Sequence, residues 1–175
     1  AANYGVDFNY LNMLREGGRK RSAMQPTFLG RMFFYRYLPV DPKISYDFYP
    51  LVFVLKQTDE YFEGINFHNM FINDRALSLY LMYDYLNNMK FDKSTKLLFR
   101  TFSRVLKTNK KFKLAKAAFR RYHYKDVSSK LIEVHPFDWE IAMMVSTERF
   151  YNTHHGKTPS KKIWMNTRKL SRLQG

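Results

Sequence analysis

The most distinctive chemical feature of the sequence is a run of cationic side chains in the middle of the chain. Residues 93–125 carry twelve Lys and Arg residues and no Asp or Glu. Five of these cations recur every three or four residues, which places them on one face of a predicted helix: Lys93, Lys96, Arg100, Arg104 and Lys107. That spacing suits contact with a row of phosphates, because each neutralised phosphate releases counterions. An ordinary solvated helix face mixes both signs of charge, so the run favours binding to a polyanion.

Further cations continue this pattern beyond the predicted helix and at both ends of the chain. The central candidates are Lys110, Lys111, Lys113, Lys116, Arg120, Arg121 and Lys125. The candidates in the terminal segments are Arg19, Lys20, Arg21, Lys161, Lys162, Arg168 and Lys169. Tyr122 and Tyr124 are interleaved with the central cations and are able to stack on bases or sugars. No feature predicts readout of base edges, so we expect binding that tolerates sequence and weakens with salt.

Residues that support catalysis or metal binding are few. The chain has no Cys, which excludes thiol catalysis, Cys-ligated zinc and iron–sulfur chemistry. It also lacks a glycine-rich phosphate loop, a nucleophile elbow and a His-Glu-x-x-His motif. The adjacent pair His154 and His155 is a poor chelator without further ligands, so we interpret both as exposed loop residues. We therefore predict no metal, no cofactor and no enzymatic activity.

One acidic group lies near a predicted strand, where a metal-dependent nuclease would place its carboxylates. It consists of Glu133, Asp138 and Glu140, and it lacks a Lys one position beyond a strand Glu. We interpret Glu133 as a residue on the solvent face of a strand, and the other two as support for the first turn of a helix. Asn66 and His68 are predicted to hydrogen-bond the turn after a strand, and Asp47 to form a turn.

Composition and patterning define the fold that must position these residues. The chain has 175 residues, 45% of them apolar, with 16 Phe and 13 Tyr, and a net charge of +15. That content supports a core and excludes full disorder. The longest apolar run, Pro50 to Leu55, is too short to cross a bilayer, and no secretory leader opens the chain. We expect a soluble protein, intracellular or particle-bound, with no membrane partner.

The pattern of predicted elements indicates an α+β fold, a small bent antiparallel sheet with inserted helices, of which an SH3-like barrel is one version. Strands are predicted over 32–37, 49–56, 61–67 and 131–135, the last closing the sheet, with Gly64 at a bulge. Helices are predicted over 73–88, from about 92 to 107, through 112–122 and over 137–145. We divide the chain into a basic arm (1–29), one α+β domain (30–156) and a basic tail of little periodicity (157–175), anchored by Trp164.

Several short motifs resemble a family of small virion structural proteins of T-even-like tailed phages. The motifs are Gly30-Arg31-Met32-Phe33-Phe34-Tyr35, Asp41-Pro42-Lys43, Tyr46-Asp47-Phe48-Tyr49-Pro50-Leu51-Val52, Glu63-Gly64-Ile65-Asn66-Phe67-His68, Arg75-Ala76 and Glu148-Arg149-Phe150. Tyr49 stands where the family pattern has Phe, and Asn69 where it has an aromatic residue. Some members are described as DNA-end-protecting and others only as structural.

The resemblance implies a non-enzymatic virion component, assembled in the host cytoplasm, whose partners are other virion proteins. Together with the charge pattern, it predicts a structural protein that binds double-stranded DNA through a basic helical face, near the packaged genome end or the neck. The alternative is a tail, baseplate or neck assembly protein that docks on acidic neighbouring subunits. The sequence leaves both open.

Overall fold

Nine strands form two antiparallel sheets in the computed structural model, which describes residues 5–6, 28–40, 44–88, 102, 104–152 and 154–174. The strands are β1 (Gly5–Val6), β2 (Met32–Phe34), β3 (Tyr46–Asp47), β4 (Leu51–Gln57), β5 (Tyr61–Asn66), β6 (Phe119–His123), β7 (Leu131–Val134), β8 (Phe150–Asn152) and β9 (Gly156–Thr158). The larger sheet has the order β1–β7–β2–β4–β5–β6, and the smaller sheet the order β3–β8–β9. The predicted α+β class is confirmed.

The larger sheet is open across the described residues, with β1 and β6 at its edges, so it does not close as an SH3-like barrel. The predicted aromatic meander corresponds to β2, β4 and β5, which are neighbours in the sheet. The late strand β7 pairs with β2 and with β1 and does not seal the sheet. Two residues of the segment predicted as a basic arm therefore belong to the sheet, and Phe28, from the same segment, is fully buried.

Among the described residues, five α-helical segments accompany the sheets: α1 (Ile72–Asn88), α2 (residues 104–108), α3 (Lys113–Ala117), α4 (Trp139–Met144) and α5 (Ser160–Leu173). Alternating side chains of the strands divide the core between the two faces of the larger sheet. On one face, Phe53 and Ile65 pack with α1, α3 and α4. On the other face, Val52, Phe62 and Tyr122 belong to a second cluster rich in aromatic residues.

Gly64 lies opposite an irregularity of β4, where the register shifts between Val54 and Lys56. A Cβ atom built on Gly64 would lie 2.1 Å from the carbonyl oxygen of Phe53. The extra residue is thus on β4, and glycine is required on β5 because the two backbones approach closely.

Two segments differ from their predicted structure. Residues 119–123, predicted as the end of a helix, form strand β6 on the edge of β5. Phe119 and Tyr122 fit helical spacing, but the same residues also alternate in a strand, and pairing with β5 decides between the two. The segment predicted as a basic tail of little periodicity also differs, because Ser160–Leu173 is a helix. Its less exposed positions recur at helical spacing, so the periodicity is present in the sequence and the prediction overlooked it: Ile163, Trp164, Thr167, Leu170 and Ser171.

A candidate cationic surface, a buried polar network and two cavities

The cations predicted to bind a polyanion fall into three groups. Lys93, Lys96, Arg100, Arg19, Lys20 and Arg21 lie outside the described residues. A second group is exposed on or beside the described helices and forms no ion pair with a described carboxylate: Arg104, Lys107, Lys110, Lys111, Lys113, Lys161, Lys162 and Lys169, with the half-buried Lys116. Lys125 is exposed as well. The third group, Arg120, Arg121 and Arg168, is engaged in the fold.

Helices α3 and α5 pack against each other and bring two basic segments together that are more than forty positions apart in the sequence. The buried residues of both helices are small, Ala115 and Ala117 on α3 and Thr167 and Ser171 on α5. Small side chains at a contact allow a short distance between helix axes. We define the cationic surface as the unpaired cations of residues 104–116 and of α5. Its α5 part includes Arg172, which sequence reasoning missed because no helix was predicted there.

Three predicted binding arginines have other partners or positions. Arg121 lies on β6, donates from Nε and Nη2 to Glu63 Oε1 at 2.9 and 2.7 Å, and covers the ring of Tyr61. The hydrogen bond to Glu63 raises the pKa of Arg121. Arg168 forms the same kind of pair with Asp74, Nε to Oδ2 at 2.8 Å. Arg120 lines a cavity.

A buried polar network joins the residues of the phage-like motifs. Asp47 Oδ2 lies 2.9 Å from His68 Nδ1, and both side chains are almost fully buried. Asp47 Oδ1 accepts the backbone N–H groups of Tyr49 and Arg149, each at 3.0 Å. Asn66 caps the turn after β5, since its Oδ1 accepts from the His68 backbone N–H at 3.1 Å. The predicted turn contacts of Asp47 and Asn66 are confirmed. The side chain of His68, predicted to hydrogen-bond the turn after β5, contacts Asp47 and Thr147 instead.

Arg75 extends this network into the helices. Its side chain is fully buried; Nε donates to the carbonyl oxygen of Met70 at 3.0 Å and Nη1 to that of Met143 at 3.2 Å. Its Nη2 lies 3.4 Å from Glu148 Oε2, a charge contact without aligned hydrogen-bond geometry. Burial lowers the pKa of Arg75 and the charge of Glu148 raises it. The motif residues thus tie the smaller sheet, the turn after β5, α1 and the segment before β8 together.

Within this network, Asp47, His68 and Thr147 stand in the order carboxylate, imidazole and hydroxyl that is familiar from catalytic triads. The distance from His68 Nε2 to Thr147 Oγ1 is 3.4 Å, long for a hydrogen bond. Thr147 is exposed and lines neither of the two cavities described below. Both oxygens of Asp47 are occupied by donors that position the chain, so the structure gives the three residues a role in positioning.

The residues weighed for metal chemistry do not converge. The backbone N–H groups of His154 and His155 donate to Asn152 Oδ1, and both residues are exposed, as predicted. Glu133 receives two hydrogen bonds from Arg31, Nε to Oε1 at 2.7 Å and Nη2 to Oε2. The bond to Arg31 lowers the pKa of Glu133. Across the part of the chain that is described, no group of three or more His, Asp or Glu residues is arranged to hold a metal ion.

Two of the cavities are lined entirely by described residues. One, of about 170 Å³, includes Asp47, Asn69, Arg120 and Tyr122 in its lining. The other, of about 270 Å³, lies between α1 and α4 and is lined by Leu79, Tyr80, Tyr83, Met143 and Met144 among others. No helix in the described ranges is both long enough and apolar enough to span a bilayer.

Comparison with models of known protein families, with curated proteins and with solved structures finds no match to this chain. The resemblance to virion proteins of T-even-like phages therefore depends on the short motifs alone and stays a prediction. What the structure adds is where those motifs lie: Asp47, Asn66, His68, Arg75 and Glu148 meet in one buried network. In this chain the motif residues of this network stabilise the fold.

Proposed function

We propose that this protein is a non-enzymatic structural component of a tailed-phage particle that binds double-stranded DNA without sequence preference, near the packaged genome end or the neck. The observation that carries the DNA-binding part is the packing of α3 against α5. That contact joins the two basic segments into the cationic surface. The placement in a phage particle comes from the motif resemblance.

The cations of the surface are available for an external partner because none of them forms an ion pair with a carboxylate among the described residues. The strongest described ion pairs use Glu63, Asp74, Glu133 and Glu148, each with an arginine. Lysines close to one another in space without counter-charges repel each other, and this repulsion is relieved when phosphates come between them.

A salt series of DNA binding tests the proposal. Affinity for a duplex of random sequence is measured by filter binding at several salt concentrations, and we expect log Kd to rise linearly with log salt. Each phosphate contact contributes a slope of about 0.9. Replacing Lys113 and Lys116 with Gln is therefore expected to lower the slope by about 1.8. Affinity that does not weaken as salt rises would contradict the proposal.

A matched control removes the same charge from another part of the fold. Arg36 and Lys130 are exposed and lie near one another, since the backbone and side chain of Ser128 and Ser129 hydrogen-bond Arg36. Both lie outside α3 and α5. Replacing them with Gln is expected to leave the slope almost unchanged. If this control and the Lys113 and Lys116 double variant reduce the salt slope equally, net charge and not the cationic surface determines binding.

A second candidate function is assembly with neighbouring subunits, and exposed apolar side chains at the 270 Å³ cavity favour a protein partner. There Tyr80 and Met144 are exposed by 65 and 62%. Exposed apolar side chains that lie close together commonly mark contacts with other proteins. Crosslinking of intact particles followed by mass spectrometry separates the two functions. Crosslinks from the cationic surface to protein alone would remove the DNA-binding proposal and favour assembly.

A further inference from the structure

Arg120 differs from every other described cation of the central run because its side chain enters the fold. Strand alternation places it on the same face of β6 as Tyr122, which is buried. It lines the cavity of about 170 Å³, whose other walls come from the end of β5, from the turn after it and from the segment that leads into the smaller sheet. Two lining residues, Ile44 and Arg121, are exposed and form the rim.

The guanidinium group of Arg120 is only partly satisfied by the protein. Its Nη1 donates to the carbonyl oxygens of Ala117 and Phe119, each at 2.9 Å. Its Nε and Nη2 find no acceptor, and no carboxylate pairs with it, among the described residues. Burial lowers the pKa of Arg120, yet a guanidinium remains charged in proteins at neutral pH. The cavity therefore contains a partly desolvated cation that forms no ion pair with a described carboxylate.

Asn69 supplies a second unused donor at the same cavity. Its residue is 5% exposed, it lines the cavity, and its side-chain amide has no hydrogen-bond partner within the described chain. The two other charged residues of the lining are already engaged. Arg121 is paired with Glu63. Asp47 accepts four N–H groups, from Tyr49, Arg149, His68 and Asn66.

We propose that this cavity binds a carboxylate group carried on a short apolar or aromatic body. The free edge of the Arg120 guanidinium offers three N–H groups and the Asn69 amide two, enough donors for the roughly four lone-pair sites of one carboxylate. The fork of a guanidinium fits a planar carboxylate with two parallel hydrogen bonds.

The residues that line the cavity indicate the size and the apolar character of the rest of the ligand. The rings of Tyr37, Tyr46, Tyr122 and Phe150 contribute to the lining, together with Ile44. An apolar cavity of roughly 150 Å³ is large enough for a benzene ring, so the space here accepts a body of that size. A phosphate dianion fits less well, because it needs more donors than the site offers and because Asp47 contributes a negative charge to the wall.

This inference is independent of the proposed function. The cationic surface would bind phosphates of a duplex from outside, whereas Arg120 is one predicted DNA-binding residue that the structure assigns to a separate, enclosed site. Replacing Arg120 is thus expected to leave the salt dependence of DNA binding unchanged, and replacing Lys113 and Lys116 to leave carboxylate binding unchanged.

Isothermal titration calorimetry of the full chain with benzoate tests the proposal, with benzamide as the neutral isostere and inorganic phosphate as the competing anion. We expect benzoate to bind, and benzamide and phosphate to bind at least tenfold more weakly. Arg120→Met is expected to weaken benzoate binding roughly tenfold to a hundredfold, as for loss of a charge-assisted hydrogen-bonded pair. Arg104→Met, on the exposed side of α2, is the matched control and should leave it unchanged.

Two milder variants keep the test decisive if Arg120→Met fails to fold. Arg120→Lys keeps the charge but not the fork, and Asn69→Ala removes only the amide; each is expected to weaken benzoate binding several-fold. Absence of benzoate binding to the unaltered protein, equal binding of benzamide, tighter binding of phosphate, or full affinity in Arg120→Lys and Asn69→Ala would each overturn the proposal.

The same titration identifies the source of the carboxylate. A tetrapeptide with sequence Gly-Gly-Gly-Phe and a free carboxyl terminus is compared with its amidated form. Tighter binding of the free peptide than of benzoate, with loss on amidation, supports the proposal and assigns the site to the carboxyl terminus of a protein partner. Equal or weaker binding of the peptide supports it with a small organic acid as the ligand.

Discussion

Replacement of Asp47 by Asn tests whether the buried network holds the two sheets and the helices together. Asp47 and His68 are exposed by only 1% and 0% in their side chains, and the carboxylate accepts four N–H groups from four residues. An Asn side chain has nearly the same shape, so the variant changes charge and hydrogen bonding with little change in packing.

The expected cost follows from the contacts that change. The Asn oxygen can still accept the two backbone N–H groups that Asp47 Oδ1 accepts now. The amide nitrogen replaces Oδ2, however, and meets the Asn66 amide, another donor, at the position of a 3.4 Å contact. Loss of the charge-assisted bond to His68 costs about 1.5–3 kcal/mol, and a buried donor without an acceptor about 1–3 kcal/mol more. We therefore expect a loss of about 3–5 kcal/mol, as for other broken buried pairs.

Urea denaturation followed by circular dichroism measures this loss. With a urea dependence of about 2 kcal/mol per M, the midpoint should fall by roughly 1.5–2.5 M. Asp74→Asn is the matched control, because Asp74 pairs with Arg168 at the surface, where solvent weakens the interaction. A midpoint of Asp47→Asn that falls no further than that of the control would refute the reasoning, since the buried network would then contribute no more than a surface pair.

Gly64→Ala and Glu133→Gln test local features of the larger sheet, and Gly156→Ala, on the smaller sheet, is the comparison for the first. Gly64→Ala places a Cβ atom 2.1 Å from a backbone oxygen and is expected to lower the free energy of unfolding by more than about 3 kcal/mol. Gly156→Ala, with a φ of +69° and open space around it, should lower it by only about 1–2 kcal/mol. Thermal unfolding of both variants measures the difference. Glu133→Gln should lose stability only at higher pH. The pKa of Glu133 in the folded state is depressed by Arg31, so its contribution is present above the ordinary value of 4.5 and disappears as pH falls through the folded-state pKa. A stability difference between Glu133→Gln and the parent protein that grows on acidification would contradict this sign.

The sequence predicts the fold class and most strands because local and tertiary preferences agree there. The apolar run of β4 is long enough to specify a strand buried on both faces, and Gly64 indicates a close approach of two backbones. The helix after β5 begins within one residue of its predicted start, at Ile72. Whether the sheet is open or closed depends on pairing between distant strands. Hydrophobic periodicity does not predict that pairing.

The candidate site is predicted less completely because it depends on which segments meet. The exposed lysines of residues 104–116 follow directly from charge patterning. Their junction with α5 does not, since helical spacing predicts an element but not the element against which it packs. The sequence groups Arg120 with those lysines because residues 112–122 also fit a helix. The side chain of Arg120 lies in the cavity because β6 pairs with β5 as a strand. A charge run thus indicates how many cations are present and not which of them face the solvent.

Arginine and lysine are divided by role in the described chain. The described ion pairs of Glu133, Glu148 and Asp74 are made by arginines, and Arg121 makes the closest pair with Glu63. The unpaired residues of the cationic surface, by contrast, are mostly lysines. A guanidinium fork holds a carboxylate in fixed geometry with little loss of freedom on pairing, whereas an ammonium group is strongly hydrated and keeps its water at a surface.

Chemical modification of lysines alone can therefore separate binding from folding. Acetylation removes lysine charges and leaves the arginine pairs, so we expect native circular dichroism with loss of salt-dependent DNA binding. Guanidination, which converts lysines to homoarginines and keeps their charge, is the matched control and should preserve binding. If acetylated protein still bound DNA with an unchanged salt slope, the lysines of the cationic surface would not be its phosphate contacts. Loss of binding after guanidination as well as after acetylation would also count against the proposal. A surface that recognises only charge tolerates the exchange of one cation for another.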